Sequence, residues 1–106
     1  MKNCLFCKLI NREIPPKFIY ETEGVVAFYD IHPKADVHIL VVPKKHLASF
    51  LDIKLDDQEI VMEMVKVAQH FTNQTKSARI GYKIVFNGGR HQEVPHLHWH
   101  LLGDKK

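Results

Sequence analysis

Near the end of the chain the sequence reads His96-Leu97-His98-Trp99-His100-Leu101-Leu102. Polar and apolar residues alternate here, which predicts a strand from Val94 to Leu102, because successive side chains of a strand point to opposite faces. The three imidazoles then share one face, and the apolar side chains between them cover the core. At ~3.3 Å per residue, adjacent histidines of the set have Cα atoms about 6.6 Å apart. Adjacent pairs can therefore act on one centre, whereas all three cannot meet on one atom.

The segments upstream of this strand supply more of a sheet and one helix. Alternating residues from Tyr82 to Phe86 predict a strand that ends at Asn87-Gly88-Gly89. The β-branched run His38–Pro43 predicts a buried strand. Between them, apolar residues recur at helical spacing from Asp56 to Asn73, which predicts one long amphipathic helix. Its predicted buried face consists of Ile60, Val61, Met64, Val65, Ala68 and Phe71.

The beginning of the chain predicts a short helix followed by a hairpin. Apolar residues at helical spacing within Leu5–Ile10 indicate one or two helical turns, and Pro15-Pro16 stops the pattern. Phe18–Glu21 and Val25–Tyr29 flank a turn and read as two paired strands. Together the segments predict an α+β fold in a single domain spanning residues 1–106. Its antiparallel sheet has about five strands, with one long and one short helix.

The composition is that of a globular protein with an excess of histidine. Of 106 residues, 45% are hydrophobic and 25% are charged, which excludes a disordered or fibrous chain. The net charge of +3 is spread over scattered lysines and arginines, so we expect no nucleic-acid partner. No apolar run is long enough for a membrane span, and the first residues lack a signal-peptide core. We therefore expect a cytoplasmic protein that does not contact membranes.

Three histidines at a spacing of two residues allow two chemical interpretations. In the first, a His-x-His pair and a third ligand hold a catalytic zinc ion with an open coordination position, with His96 and His98 as the pair. In the second, one imidazole is itself a nucleophile that attacks an electrophile such as phosphorus. The preceding glycines would let backbone N–H groups approach phosphate oxygens, which favours the second interpretation. The spacing alone does not decide between them.

The stretch from His96 to Leu102 resembles the His-φ-His-φ-His-φ-φ signature of the histidine triad (HIT) family, where φ is apolar. Further resemblances run through the chain in the order of the family pattern. They are Cys4–Pro15, Phe28–Pro33, His38–His46, Asn87–Gly89 and Gln92–His96. The resemblance implies a HIT-like fold that pairs into a homodimer through the long helix and a central strand.

The resemblance also implies roles for individual residues. His98 would attack the α-phosphorus of a purine nucleotide and form a nucleotidyl-histidine intermediate, which water then hydrolyses. His100 would stabilise the transferring group, and His38 would orient the nucleophile. The implied nucleotide-binding residues are Phe28, Asp30, Asn87 and Gln92.

Three of these residues also have simpler interpretations. Asp30 precedes Ile31-His32-Pro33 and could cap a turn through its carboxylate. Phe28 could be an ordinary core residue. His38 begins a buried strand, where its ring could make only a structural hydrogen bond.

Cys4 and Cys7 are too close together to staple a secreted fold, so we expect free thiols or metal ligands. In some HIT proteins this Cys-x-x-Cys resembles half of a zinc site that two histidines complete. The matching histidines here are His46 and His96. A Cys₂His₂ set is closed, as expected for structural rather than catalytic zinc. The alternative is a pair of reduced thiols with little or no metal.

Two positions depart from the pattern of the phosphoramidase branch of the family. His91 stands before Gln92, where the family often has glycine, and Glu93 stands where that branch has a serine near the leaving group. The favoured function is hydrolysis of nucleoside 5′-phosphoramidates, with adenosine as the preferred nucleoside. The alternatives are hydrolysis of dinucleoside polyphosphates and a nucleotide-binding regulatory module with weak activity.

Overall fold

In the computed structural model, which describes residues 4–105, five strands form one antiparallel sheet. The strands are β1 (Tyr20–Glu21), β2 (Val25–Tyr29), β3 (Val37–Pro43), β4 (Tyr82–Val85) and β5 (Trp99–Gly103). Their order across the sheet is β1-β2-β3-β5-β4. The helices are α1 (Leu5–Ile10), α2 (Gln58–Gln74) and α3 (Ser77–Ile80). The predicted α+β architecture is confirmed, and α3 is a short helix that the sequence pattern does not predict.

Strand β3 lies at the centre of the sheet, and all seven of its residues are buried. Ile39 and Val41 point to the face that α2 covers, where they pack in the main core. Leu40 and Val42 point to the opposite face and pack with Phe6 of α1. The sheet therefore has a core on each side, and α1 occupies the same face as His38, which alternates with Ile39.

Helix α2 follows a 3₁₀ turn at Leu55–Asp57 and covers one face of the sheet, as predicted. Its buried residues are Met64, Val67, Ala68, Phe71 and Thr72. Val65, which the helical pattern places in the core, is only half-buried because it lines a groove beside β4. Met64, Ala68 and Phe71 are buried as predicted, whereas Ile60, Val61 and Val65 are only half-buried and Val67 and Thr72 complete the buried face.

The last strand is shorter than the sequence predicts. Residues 94–98 are not part of it, so the predicted strand from Val94 to Leu102 is wrong in its first half. Pro95 has no N–H to donate to a sheet ladder, and the N–H of Leu97 instead bonds the carbonyl oxygen of Leu47 at 2.6 Å. The side chains still alternate through this irregular segment, because Leu97, Trp99 and Leu101 pack in the main core.

Gly103 at the end of β5 lies against Ser77, the first residue of α3. A Cβ atom on Gly103 would lie 2.8 Å from the Cβ of Ser77, which is fully buried. We expect Gly103→Ala to destabilise the fold by about 1–3 kcal/mol, through overpacking. Denaturant unfolding would measure this loss. Gly88→Ala is the control, because nothing lies within 4 Å of the added atom. In a double-mutant cycle with Ser77→Gly the two effects should be less than additive, and strict additivity would contradict the clash.

The described residues contain no helix that is both long and apolar enough to cross a membrane.

Candidate active site

The rings of His96, His98 and His100 follow one another along the face of the sheet that carries α1. Phe6 of α1 packs edge-on against His98 and His96, with ring centroids 5.1 and 5.8 Å apart. The ring centroids of His98 and His100 are 5.0 Å apart. The three imidazoles therefore share a face, as the alternation predicts, although only the last of them lies within β5.

The hydrogen bond of His98 fixes which of its ring nitrogens is free. Its Nδ1 lies 2.8 Å from the backbone carbonyl oxygen of His96. A carbonyl oxygen only accepts, so Nδ1 carries the proton and donates it, and Nε2 of the neutral ring keeps its lone pair. The ring is 8% exposed and lines a cavity. In its neutral form His98 thus offers Nε2 from a ring fixed by its hydrogen bond, which is the arrangement that a nucleophilic imidazole requires.

A second chain of hydrogen bonds orients His100 through His38. The backbone N–H of Lys34 donates to Nδ1 of His38 at 3.1 Å, so the proton of the neutral His38 ring is on Nε2. Nε2 of His38 lies 2.9 Å from Nδ1 of His100 and donates to it. The remaining proton of the neutral His100 ring is then on its Nε2. His100 can therefore offer an N–H donor to a substrate.

Burial keeps both of these rings neutral. It lowers the pKa of His38 below its ordinary value, although the carboxylate of Asp30, 3.4 Å from Nε2, favours the charged form. Burial also lowers the pKa of His100, and charge on His98 and His38 would lower it further. Protonation of His100 at Nδ1 would place two N–H groups against each other across 2.9 Å, and protonation of His38 at Nδ1 would do the same against the backbone N–H of Lys34 at 3.1 Å. The lowered pKa values therefore protect the hydrogen bond between the two rings.

The histidines line two adjoining cavities of about 600 and 160 Å³. The larger cavity has apolar walls that include Phe18, Phe28 and Leu40. The smaller cavity is polar. It is lined by Asp30, His32, Lys34, Asn87, Glu93, His98 and His100. His98 and His100 line both cavities, so their rings lie where an apolar pocket meets a polar one.

Asp30 and Phe28 both have structural contacts in addition to their place in the cavity. Oδ1 of Asp30 accepts the backbone N–H of His32 at 2.8 Å, which is the turn-capping bond that the sequence allows. Phe28 packs edge-on against Phe6 at 5.6 Å between centroids and near Phe18 at 5.9 Å. Each residue lines the larger cavity, so a structural contact and a ligand-binding role are compatible here.

Cys4, Cys7, His46 and His96 form a separate cluster that could hold a metal ion. Their four ligand atoms all lie within 4.8 Å of one another. Nε2 of His96 lies 2.7 Å from the carbonyl oxygen of Pro43 and donates to it, which leaves the lone pair on Nδ1. This Nδ1 faces Cys4 Sγ at 3.3 Å and His46 Nδ1 at 3.1 Å. Two sulfurs and two imidazole nitrogens thus converge, a donor set suited to tetrahedral zinc.

The titration behaviour of the cluster suits a ligand set. Burial lowers the pKa of His96 to about 4, so the ring is neutral and available as a ligand at neutral pH. Burial, together with the hydrogen bond that the Cys7 thiol donates to Cys4, raises the pKa of Cys7 to about 11. A bound metal would have to displace the thiol proton.

His98 is not a member of this cluster. The two groups of potential metal ligands within residues 4–105 are the Cys/His cluster and Asp30 with His38 and His100. The ring of His98 bonds its neighbour's carbonyl oxygen instead. The geometry thus does not support a catalytic zinc held by His96 and His98.

A comparison with family models decides the family. The model described as HIT domain matches residues 11–106. The chain belongs to the HIT family. The purine nucleoside phosphoramidase of Escherichia coli K12 is 38% identical over 103 residues, which cover 95% of this chain and 87% of that protein. The adenosine 5′-monophosphoramidase of Candida albicans is 38% identical over 109 residues, covering 97% and 71%.

A solved HIT structure has the same fold. The HIT family hydrolase of Legionella pneumophila superposes with a TM-score of 0.91 at 40% identity, covering 98% of this chain and 95% of that one. With relatives described as phosphoramidases and hydrolases, this chain is a HIT-type hydrolase.

The structure separates Gln92 of this HIT domain from the other predicted nucleotide-binding residues. Its side-chain amide donates to the carbonyl oxygens of Ala48 at 2.6 Å and Val94 at 3.0 Å, and it is not among the residues that line either cavity. Asn87 does line the smaller cavity. The sequence analysis missed Lys34, whose backbone orients His38. The only feature of the sequence that could have indicated this role is that Lys34 lies four residues before a histidine near the start of a strand.

The lowered pKa values of His38 and His100 predict how stability depends on pH. The unfolded chain binds protons at these rings near pH 6.5, whereas the folded chain binds them only at lower pH. The free energy of unfolding should therefore fall as the pH drops below about 6.5. Above that pH these rings add no pH dependence to it. We expect His38→Asn to lose less stability than wild type between pH 7 and pH 5 in urea unfolding. The comparison uses the slope of unfolding free energy against pH in each protein, so titratable groups that both proteins share cancel. Equal slopes in wild type and His38→Asn would contradict a lowered pKa for His38 in the folded state.

Proposed function

We propose that the chain hydrolyses nucleoside 5′-phosphoramidates, with an adenine or other purine nucleoside in the larger cavity. One observation carries the proposal, namely that His98 presents an unprotonated Nε2 between an apolar and a polar cavity. The relatives described as phosphoramidases support the substrate class.

In the proposed reaction, Nε2 of His98 attacks the α-phosphorus and the P–N bond breaks. The electron pair of the P–N bond leaves on the amine nitrogen, which takes up its protons from solvent water and departs as a protonated amine. Water then attacks the nucleotidyl-histidine, and the products are the nucleoside monophosphate and free His98. The carbonyl oxygen of His96 stabilises the positive charge that develops on the His98 ring. Nε2–H of His100 donates to a phosphoryl oxygen and stabilises the transition state.

The remaining predicted residues have supporting roles in this proposal. Phe28 forms a wall for the base, and the carboxylate of Asp30 accepts from the ribose hydroxyls. The side-chain amide of Asn87 donates to phosphate in the polar cavity. Gln92 has an indirect role, because its side-chain amide donates to the carbonyl oxygens of Ala48 and Val94 and so fixes the loop before His96.

We propose that the Cys/His cluster binds a zinc ion and that the role of this ion is structural. The ligands would be Cys4, Cys7, His46 and His96. The ion would thus join α1 to the segment that follows β3 and to the first of the three histidines before and within β5. A four-ligand protein set leaves no open position for substrate, so bound zinc would supply cohesion and no catalytic chemistry.

A homodimer is the proposed assembly, and we propose that it pairs through α2 and the edge strand β4 rather than through the central strand that the resemblance implies, because β3 already pairs with β2 and β5. Strand β4 is a sheet edge, and Tyr82 and Ile84 are 55% and 43% exposed there. They line a groove of about 600 Å³ with residues of α2, beside the unbonded buried Nε1 of Trp99. Pairing of two copies at this edge would cover the groove and place β4 inside a continuous sheet.

We also propose that residues 1–106 make up a single HIT domain and act in the cytoplasm without a nucleic-acid partner. Residues 1–3 and 106 of that range lie outside the described residues.

A substrate panel tests the proposed activity. Purified protein would be assayed with an adenosine phosphoramidate, an acyl-adenylate and a dinucleoside polyphosphate, compared by kcat/KM. We expect the phosphoramidate to have the highest value. A higher value for the dinucleoside polyphosphate would favour that alternative reaction. Binding of all three without turnover would indicate a nucleotide-binding module.

A further inference from the structure

Glu93 carries a negative charge at the junction of the two cavities. It lies between the 3₁₀ helix Gly89–His91 and β5, and its side chain is exposed. It lines both cavities, as His98 and His100 do. None of the ion pairs found among residues 4–105 includes it.

Two other charged residues, Asp30 and Lys34, line the polar cavity. Asp30 accepts the backbone N–H of His32 and lies 3.4 Å from His38, so its carboxylate is held at the edge of the site. Lys34 supplies the positive charge in this cavity. Among the described residues, the carboxylate of Glu93 is therefore the acidic group of this cavity that makes no ion pair, and it lines the same two cavities as His98.

We propose that Glu93 selects the leaving group by its charge. It would favour amines that carry a second positive charge and repel leaving groups that carry carboxylates or phosphates. The inference rests on the proposed function and names its substrate class, since a polyphosphate leaving group would bring several negative charges to the same place. Two unit charges about 6 Å apart in a solvated environment change a relative affinity by roughly 3- to 10-fold, which sets the size of the expected effect.

Three adenosine 5′-phosphoramidates of matched length test this selectivity. Their leaving amines are 1,3-diaminopropane, propylamine and β-alanine, which end in a cation, a neutral group and an anion. We expect the ratio of kcat/KM for the cationic over the anionic compound to fall roughly 3- to 10-fold in Glu93→Gln. Glu93→Lys should invert the preference. Added salt should shrink the wild-type ratio, because exposed charges are screened.

Glu59→Gln is the matched control, because Glu59 is an exposed carboxylate on α2, across the sheet from the cavities. It should leave the ratio at the wild-type value. A Glu93→Gln ratio equal to wild type would overturn the inference.

A binding measurement separates this inference from the proposed reaction. In His98→Ala, which cannot form the covalent intermediate, calorimetry gives the Kd of each intact compound. The ratio of Kd values should depend on Glu93 in the same direction. If no phosphoramidate is turned over by wild type but this ratio still depends on Glu93, the proposed reaction fails and the charge selection stands. If the Kd ratio is the same with and without the Glu93 carboxylate while wild-type turnover is normal, the charge selection is wrong and the proposed reaction stands.

Discussion

His98→Ala is expected to lower kcat/KM for an adenosine 5′-phosphoramidate by roughly 10⁴-fold or more while the protein stays folded. The reason is that Nε2 of His98 is the proposed attacking atom, and loss of a nucleophile removes the covalent route altogether. The ring packs against Phe6 in the second core, so its removal costs some stability without dissolving the main core on the other face of the sheet. Steady-state kinetics and circular dichroism on the same sample would measure the two effects.

His70→Ala is the control for this change. His70 is an exposed histidine of α2, and its ring stacks on Tyr20 at 4.9 Å between centroids. It should keep wild-type turnover. Wild-type turnover in His98→Ala would instead remove the basis for the mechanism.

Removal of the proposed zinc ion is expected to be the largest perturbation of stability. A ligand at 1,000 times its Kd stabilises the folded state by about 4 kcal/mol, so chelation of a tight structural metal should lower Tm by more than about 10 °C. Turnover measured below the lowered Tm should persist, because no catalytic step uses the metal. Differential scanning calorimetry with and without chelator, combined with metal analysis, measures both quantities.

A pair of histidine variants provides the control for the metal experiment. His46→Ala removes a ligand and should abolish the effect of the chelator on Tm. His91→Ala removes an exposed histidine outside the cluster and should retain it. The stabilisation by zinc should grow with pH, because the Cys7 thiol, with its pKa raised to about 11, must release its proton to bind. Purified protein without zinc and with a Tm insensitive to chelator would contradict a zinc site.

Side-chain periodicity predicts the elements of this fold well. The helical spacing from Asp56 to Asn73 predicts α2 closely, because burying an apolar face requires that spacing. The alternation after His96 predicts which side chains face the core, and it holds even where Pro95 and the Leu97–Leu47 bond interrupt the strand. Strand ends are less predictable, since they depend on such backbone partners far away in sequence.

The site is less predictable than the fold because its chemistry depends on hydrogen bonds to the backbone. Which nitrogen of His98 is free depends on the carbonyl oxygen of His96, and the orientation of His100 depends on the N–H of Lys34 through His38. No side-chain pattern records these bonds. The cluster of Cys4 and Cys7 with His46 and His96 joins segments separated by up to 92 positions. From the sequence, only the family resemblance predicts that these residues meet.

Trapping of the covalent intermediate tests the central claim most directly. Wild-type protein would be mixed with an adenosine phosphoramidate in a single turnover, quenched at alkaline pH, where a phosphorus–nitrogen bond to imidazole survives, and digested for mass spectrometry. The mechanism predicts one adenylate group on the peptide that contains the triad, located at His98 by fragmentation and absent from His98→Ala. An adenylate on another residue, or turnover with no adduct at any time point, would contradict it.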